Sequence, residues 1–333
     1  MPAPLAVSLG DPAGIGPELL ATAWASREVH HLPCFFAVGG VGLLAAAAAA
    51  RGLDVPVRQI ASPAEAISVF AHALPVLGRD DGEYMPGSPN RAGAALALAS
   101  LARAVELTVS GAAGALVTGP IAKSRLAEVG FAHPGQTEFV AEACGISAEN
   151  AVMMLAGPSL RTVPLTVHVA LSAVPGLVTR DLIERKARIV ASALARDFGL
   201  DRPRLAIAAL NPHAGEDGRM GDEDQRIVAP AIAALQAEGI VVTGPHPADA
   251  LFAAHNREAF DVALCLYHDQ ALIPIKALDF DAGVNVTLGL PIVRTSPDHG
   301  TAFTIAGRAA AHPGATLAAI RMAGECAARR AGA

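Results

Sequence analysis

Short apolar runs alternate with longer helical stretches from one end of this chain to the other. That alternation limits the fold more than any other feature of the sequence. Candidate strands fall at residues 5–9, 34–38, 115–117, 151–155, 163–168, 205–209, 241–243, 262–266 and 285–288. Candidate helices fall at 17–25, 41–51, 91–110, 180–198, 222–238, 248–255 and 315–329. Strands interleaved with helices of this length predict α/β layers around a largely parallel sheet. The 333 residues suffice for about two domains, or one large unit with a cleft. Hydrophobic residues make up 52% of the chain and aromatics only 4%. Alanine and valine therefore carry the core, which suits close packing of helix on sheet.

Charge and cysteine content exclude several classes. The formal charge of −6 leaves no net basic footprint for nucleic acid. Cys34, Cys144, Cys265 and Cys326 are far apart and form no CxxC pair, so reduced thiols in a cytoplasmic protein are expected. No basic segment followed by an apolar run marks a secretion signal. Residues 32–50 lack charge, but their glycines and alanines fit strand, turn and helix better than a membrane span. Residues 78–90 are polar and turn-rich and read as an excursion loop. The boundary between subdomains is drawn near Ala127, with return near Thr295. The first subdomain is then 1–127 plus 295–333, and the second is 128–294.

Four segments carry candidate chemistry. Gly10-Asp11-Pro12-Ala13-Gly14-Ile15-Gly16-Pro17-Glu18 follows a strand and opens a helix. It reads either as a backbone cradle for an anion or as a structural turn, and it lacks the GxGxxG spacing. Thr118-Gly119-Pro120-Ile121-Ala122-Lys123 repeats the strand–loop–helix setting. His168, His213 and His268 each sit at the C-terminal end of an expected strand, the edge where open α/β sheets bind ligands. Three imidazoles leave an open position on a divalent metal. The block from Lys276 to Thr301 contains Lys276, Asn285 and Arg294, followed by Ser296, Asp298, His299, Gly300 and Thr301. Arginine binds phosphate or carboxylate through its fork, and the glycine- and hydroxyl-rich run after it suits a nucleotide.

Taken in order, GDPAGIGPE, TGPIAK, GQTEF, NPHAGEDG, PADALF, YHDQALIPIK and FDAGVNVTLGLPIVRTSPDHGTA resemble the 4-hydroxythreonine-4-phosphate dehydrogenase family of vitamin B6 biosynthesis. The resemblance implies an isocitrate/isopropylmalate dehydrogenase-like fold, with two α/β/α subdomains flanking a cleft. It implies a homodimer with its active site at the interface. His168, His213 and His268 become metal ligands, the third from the partner subunit. Gln136, Thr137, Lys276, Asn285 and Arg294 become substrate-binding. Gln136 stands where the family often has a histidine, and it keeps a donor and an acceptor without the charge. The implied reaction is metal-dependent, NAD- or NADP-linked oxidation of 4-phosphooxy-L-threonine to an amino β-keto acid. That acid decarboxylates to 3-amino-2-oxopropyl phosphate. Lys276 and Asp249 are the candidate proton acceptors. Zinc suits the ligands, with cobalt, manganese and magnesium as alternatives. Two other readings stand beside this one: a dehydrogenase of a non-phosphorylated diol, and a phosphate-handling acyltransferase.

Overall fold

The computed structural model describes residues 3–78 and 81–332. Within them the strands are β1 (Leu5–Ser8), β2 (Phe35–Val38), β3 (Val57–Ile60), β4 (Leu74–Leu77), β5 (Leu116–Thr118), β6 (Val152–Ala156), β7 (Arg161–Pro164), β8 (Leu205–Ala208), β9 (Val242–His246), β10 (Val262–Cys265), β11 (Val284–Leu288) and β12 (Arg294–Pro297). The chain divides into two compact units: Met1–Ala151 with Leu290–Gly332, and Val152–Gly289.

In the first unit the strand order is β3-β4-β2-β1-β5-β12, and every neighbouring pair is parallel. Strands β1, β2 and β5 are buried along their whole length. A strand covered on both faces reads as a continuous apolar run, which is why these were visible in the sequence. Side chains alternate between the faces. Ala6, Phe36 and Leu116 share a core with Ala97, Leu101 and Ala104 of the helix Arg91–Val109. Thr295, in register with Val117, faces the other way, and its hydroxyl donates to the Ala319 carbonyl in the helix Gly314–Gly332. The helix Arg91–Val109 is apolar and long enough to span a bilayer by length and composition. Its apolar stripe is spent on this core, and the Asn90 side chain caps it by accepting from Gly93 N.

The helices Lys123–Ala127 and Gln136–Ala143 pack against Arg91–Val109. They carry the first unit on to residue 151, and the chain returns at residue 290. The boundaries expected at 127 and 295 differ from these, because the helix Gln136–Ala143 follows TGPIAK within the same unit. Residues 1, 2 and 333 of the expected first subdomain lie outside the described residues. So do 79 and 80 of the expected loop at 78–90. From Asp81 that loop folds back, and its carboxylate accepts from Gly42 N and Leu43 N at the start of the helix Val41–Ala50.

The second unit has the order β11-β6-β7-β10-β8-β9. β11–β6 and β6–β7 are antiparallel, while β7–β10, β10–β8 and β8–β9 are parallel. The short turn at residues 157–160 joins β6 to β7 and forces the antiparallel pair. The helix Arg180–Phe198 matches its expected span because both ends are chemically marked. Thr179 Oγ1 caps Leu182 N, and Gly199 leaves in the left-handed region with φ 68°. β7, β10 and β8 are adjacent and parallel, so their C-terminal ends form one edge. Helices packed on largely parallel sheets agree with the expected α/β class.

Candidate active site

The three histidines singled out in the sequence leave that single edge of the second unit. β7 ends at Pro164, earlier than expected, and His168 lies in the turn beyond it with φ 55°. His213 follows β8 with φ 51°. His268 follows β10 as the first residue of the helix His268–Asp279. A left-handed backbone is uncommon for non-glycine residues and persists only where surroundings enforce it.

The contacts that hold the segments leading into these histidines are specific. Thr166 Oγ1 donates to the Leu266 carbonyl at 2.8 Å, and Lys186 Nζ donates to the Leu165 carbonyl at 2.9 Å. Burial pulls the Lys186 ammonium down to about 8, with Arg185 adding to the effect. Asp224 is buried and its carboxylate accepts from Leu210 N at 2.7 Å and Asn211 N at 3.0 Å, which holds the start of the His213 loop. Gln270 accepts from Leu266 N at 2.7 Å and donates to the Ala209 carbonyl at 2.8 Å, tying the turn after β10 to the end of β8.

His168 and His268 face each other with ring centroids 5.9 Å apart. His268 Nδ1 lies 2.7 Å from Asp269 Oδ1, so the ring presents Nε2 outward. The two histidines line a cavity of about 270 Å³ with Thr166, Val169, Tyr267 and Asp269. An imidazole pair with one ring oriented by a carboxylate is a donor set suited to a transition metal. Among the described residues no group of three or more histidine, cysteine, aspartate or glutamate side chains gathers as a metal site, so His213 does not join the pair within one chain.

The other expected residues of this unit are dispersed. Lys276 lies on the same helix as His268, with Nζ 5.7 Å from the Phe280 ring centre. Asn285 is on β11, and its Oδ1 is buried without a hydrogen-bond partner. Asp249 is exposed in the first turn of the helix Ala248–Leu251.

In the first unit, GDPAGIGPE, TGPIAK and TSPDHGTA leave the adjacent strands β1, β5 and β12 at one edge. Arg294 is the first residue of β12 and only 4% exposed. Its Nη2 donates to Thr118 Oγ1 at 2.8 Å and to Gln136 Oε1 at 2.9 Å. Gln136 Nε2 in turn donates to the Gly119 carbonyl at 3.0 Å. Burial pulls the guanidinium down to about 10, partly offset by the nearby Glu138. Thr137 is half-buried in the same helix as Gln136, and Lys123 is exposed.

The glycine-rich loop after β1 is a clasp. Ala13 N donates to Asp11 Oδ1, Asp11 N to the Pro120 carbonyl, and Ile15 N to the Thr301 carbonyl at 3.0 Å. A Cβ on Gly14 would come within 2.8 Å of that Thr301 oxygen. Ile15 and Leu19 form a small core with Ala306 and Ala311, and Glu18 accepts from Gly307 N. The segment Ser296–Thr301, expected to hold a nucleotide, is thus seated on the loop. His299 is pushed down by burial, opposed by its bond to the Gly300 carbonyl and by Asp298.

The sequence reading missed Asp269 as a partner of His268 and Thr118 as a partner of Arg294. The first was available from the adjacent carboxylate in Tyr267-His268-Asp269. The second depends on strand order.

Residues 31–323 match the family model described as pyridoxal phosphate biosynthetic protein PdxA. The chain belongs to this family. A 4-hydroxythreonine-4-phosphate dehydrogenase from Erythrobacter litoralis is 63% identical over 328 residues, 98% of each chain. A solved 4-hydroxythreonine-4-phosphate dehydrogenase from Klebsiella pneumoniae superposes with TM-score 0.87 at 36% identity, covering 98% of both chains. A solved terephthalate 1,2-cis-dihydrodiol dehydrogenase from Burkholderia xenovorans gives 0.65 at 29% identity, over 97% of this chain and 98% of that one. Membership of the PdxA family places the chain among the oxidoreductases of pyridoxal phosphate biosynthesis and leaves the acyltransferase reading without support.

Proposed function

We propose that this chain catalyses the NAD- or NADP-linked oxidation of 4-phosphooxy-L-threonine to an amino β-keto acid. The acid then decarboxylates to 3-amino-2-oxopropyl phosphate. The observation that carries the reading is the 63% identity to a dehydrogenase of that name over 98% of both chains. His168, His213 and His268 would hold a divalent metal, zinc by preference and cobalt, manganese or magnesium otherwise, with Asp269 fixing the His268 ring. When bound, such a metal would supply Lewis acidity toward the substrate hydroxyl, and the nicotinamide would supply the hydride acceptor. Arg294 and Lys276 hold the phosphate and carboxylate charges. Asn285 accepts a hydrogen bond through its unpartnered Oδ1, and Thr137 adds a hydroxyl. Lys276 or Asp249 receives the proton. Ser296, Asp298, His299, Gly300 and Thr301 orient the nucleotide on their seat against the Gly14–Ile15 loop.

The protein would work as a cytoplasmic homodimer. Leu171, Ile273 and Phe280 are 68%, 66% and 70% exposed and lie on the segments that carry His168 and His268. Exposed apolar groups along these segments suit burial by a second subunit. A non-phosphorylated diol is the second reading, favoured by the likeness to the dihydrodiol dehydrogenase.

The deciding experiment follows NADH or NADPH absorbance with 4-phosphooxy-L-threonine, before and after chelation and metal add-back. Substrate-dependent reduction that disappears on chelation and returns with metal is expected. Silence with both nucleotides in folded, metal-replete protein overturns the assignment, and turnover confined to phosphate-free diols replaces it with the second reading.

A further inference from the structure

Three strand-edge features close into a ring around Arg294. Arg294 pairs in register with Leu116, so its side chain shares a face with Leu116 and with Thr118 two positions on. Thr118 is fully buried. Arg294 Nη2 donates to Thr118 Oγ1 at 2.8 Å and to Gln136 Oε1 at 2.9 Å. Gln136 Nε2 returns to the Gly119 carbonyl, the residue after Thr118, at 3.0 Å. Both ends of the Gln136 amide are therefore engaged with the protein, one on the arginine and one on the turn that follows β5.

We infer that Gln136 and Thr118 are positioning residues that fix the guanidinium plane of Arg294, and that Gln136 acts on the substrate through Arg294 and not by touching it. The inference rests on the reading of Arg294 as the residue that holds the substrate's anionic group. A guanidinium donates only within its own plane, so that plane must be set before the anion arrives. Donation from one Nη to two acceptors on different elements fixes that plane. Glutamine suits the post because it accepts from the arginine and donates to the backbone at once. Glutamate in its place would put a carboxylate against the guanidinium and compete with the incoming anion.

The test is a double-mutant cycle on full-length, metal-replete enzyme, with kcat and KM measured for 4-phosphooxy-L-threonine. Gln136→Ala is expected to raise KM by about tenfold while kcat stays within about threefold. In an Arg294→Ala background the same change should move KM by less than about twofold, because the group through which it acts is gone. Gln136→His, which keeps an acceptor and a donor, should recover most of the loss. Gln136→Glu should raise KM more than Gln136→Ala does. Arg294→Lys runs the same cycle with the charge kept if Arg294→Ala folds poorly. A Gln136→Ala effect that persists in full without Arg294 means that the amide touches the substrate itself, and overturns the inference. An Arg294→Ala enzyme with unchanged KM removes the reading of Arg294, a separate failure visible in the single variant.

Discussion

At the residue scale, the informative contact is the one between His268 and Asp269. The carboxylate lies 2.7 Å from Nδ1, which orients the ring and leaves Nε2 to a ligand. Partners of this kind are worth roughly 10- to 100-fold in metal affinity. Asp269→Asn should therefore leave the fold intact and raise the metal concentration needed for half-maximal activity by that range. Zinc titration of the apoprotein reads it directly, and an unchanged midpoint would show that Asp269 is a bystander. His168, His213 and His268 stand out because three histidines follow the ends of expected strands, where one alone would read as a structural residue. Arg294 was legible as a cation beside an apolar run, but its partners were not. Thr118 and Gln136 meet it only because β12 lies beside β5, a fact of strand order that local sequence does not carry.

At the element scale, legibility followed burial. β1, β2, β8 and β10 are apolar and wholly buried, and all were read. β12 was missed because Arg-Thr-Ser-Pro is polar, although all four residues are buried. The Thr295 hydroxyl and Arg294 Nη2 reach distant partners, the Ala319 carbonyl and Thr118, which no window of sequence includes. β3 is mostly exposed, and β4, though wholly buried, is interrupted by Pro75. The helix Arg180–Phe198 carries a prediction of its own. Lys186 is lowered from 10.5 to about 8, mainly by burial. Between those values the unfolded chain keeps a proton that the folded chain has released, so stability contributed by this group rises with pH. Below about 8 the full cost of burying the ammonium is felt, about 3 kcal/mol from a shift of that size. Lys186→Met removes the cost along with the bond to the Leu165 carbonyl. The stability of the variant relative to wild type should then fall by that amount from pH 7 to pH 10.5. Urea denaturation at the two values measures it, and a pH-independent difference would show that the amine does not titrate differently on folding.

At the scale of the whole molecule, the question is why one chain brings only two of its three edge histidines together. His168 and His268 are 5.9 Å apart by ring centre, while no group of three gathers among the described residues. In a twofold dimer each site can draw ligands from both subunits, because the symmetry axis repeats every contribution. If His213 and His268 of one site come from different subunits, two dead variants can rescue each other. His213→Ala and His268→Ala homodimers each lack one ligand at both sites. In a mixed dimer, one site collects both substitutions and the other collects neither. Refolding an equimolar mixture makes half of the dimers mixed, each with one intact site, so about a quarter of wild-type activity should return. Co-expression with two affinity tags, followed by purification of the mixed dimer, should raise the yield to about half. Activity that stays at the level of the separate variants would place all three ligands on one chain, and the gathering of His213 would then have to come from movement of its own loop.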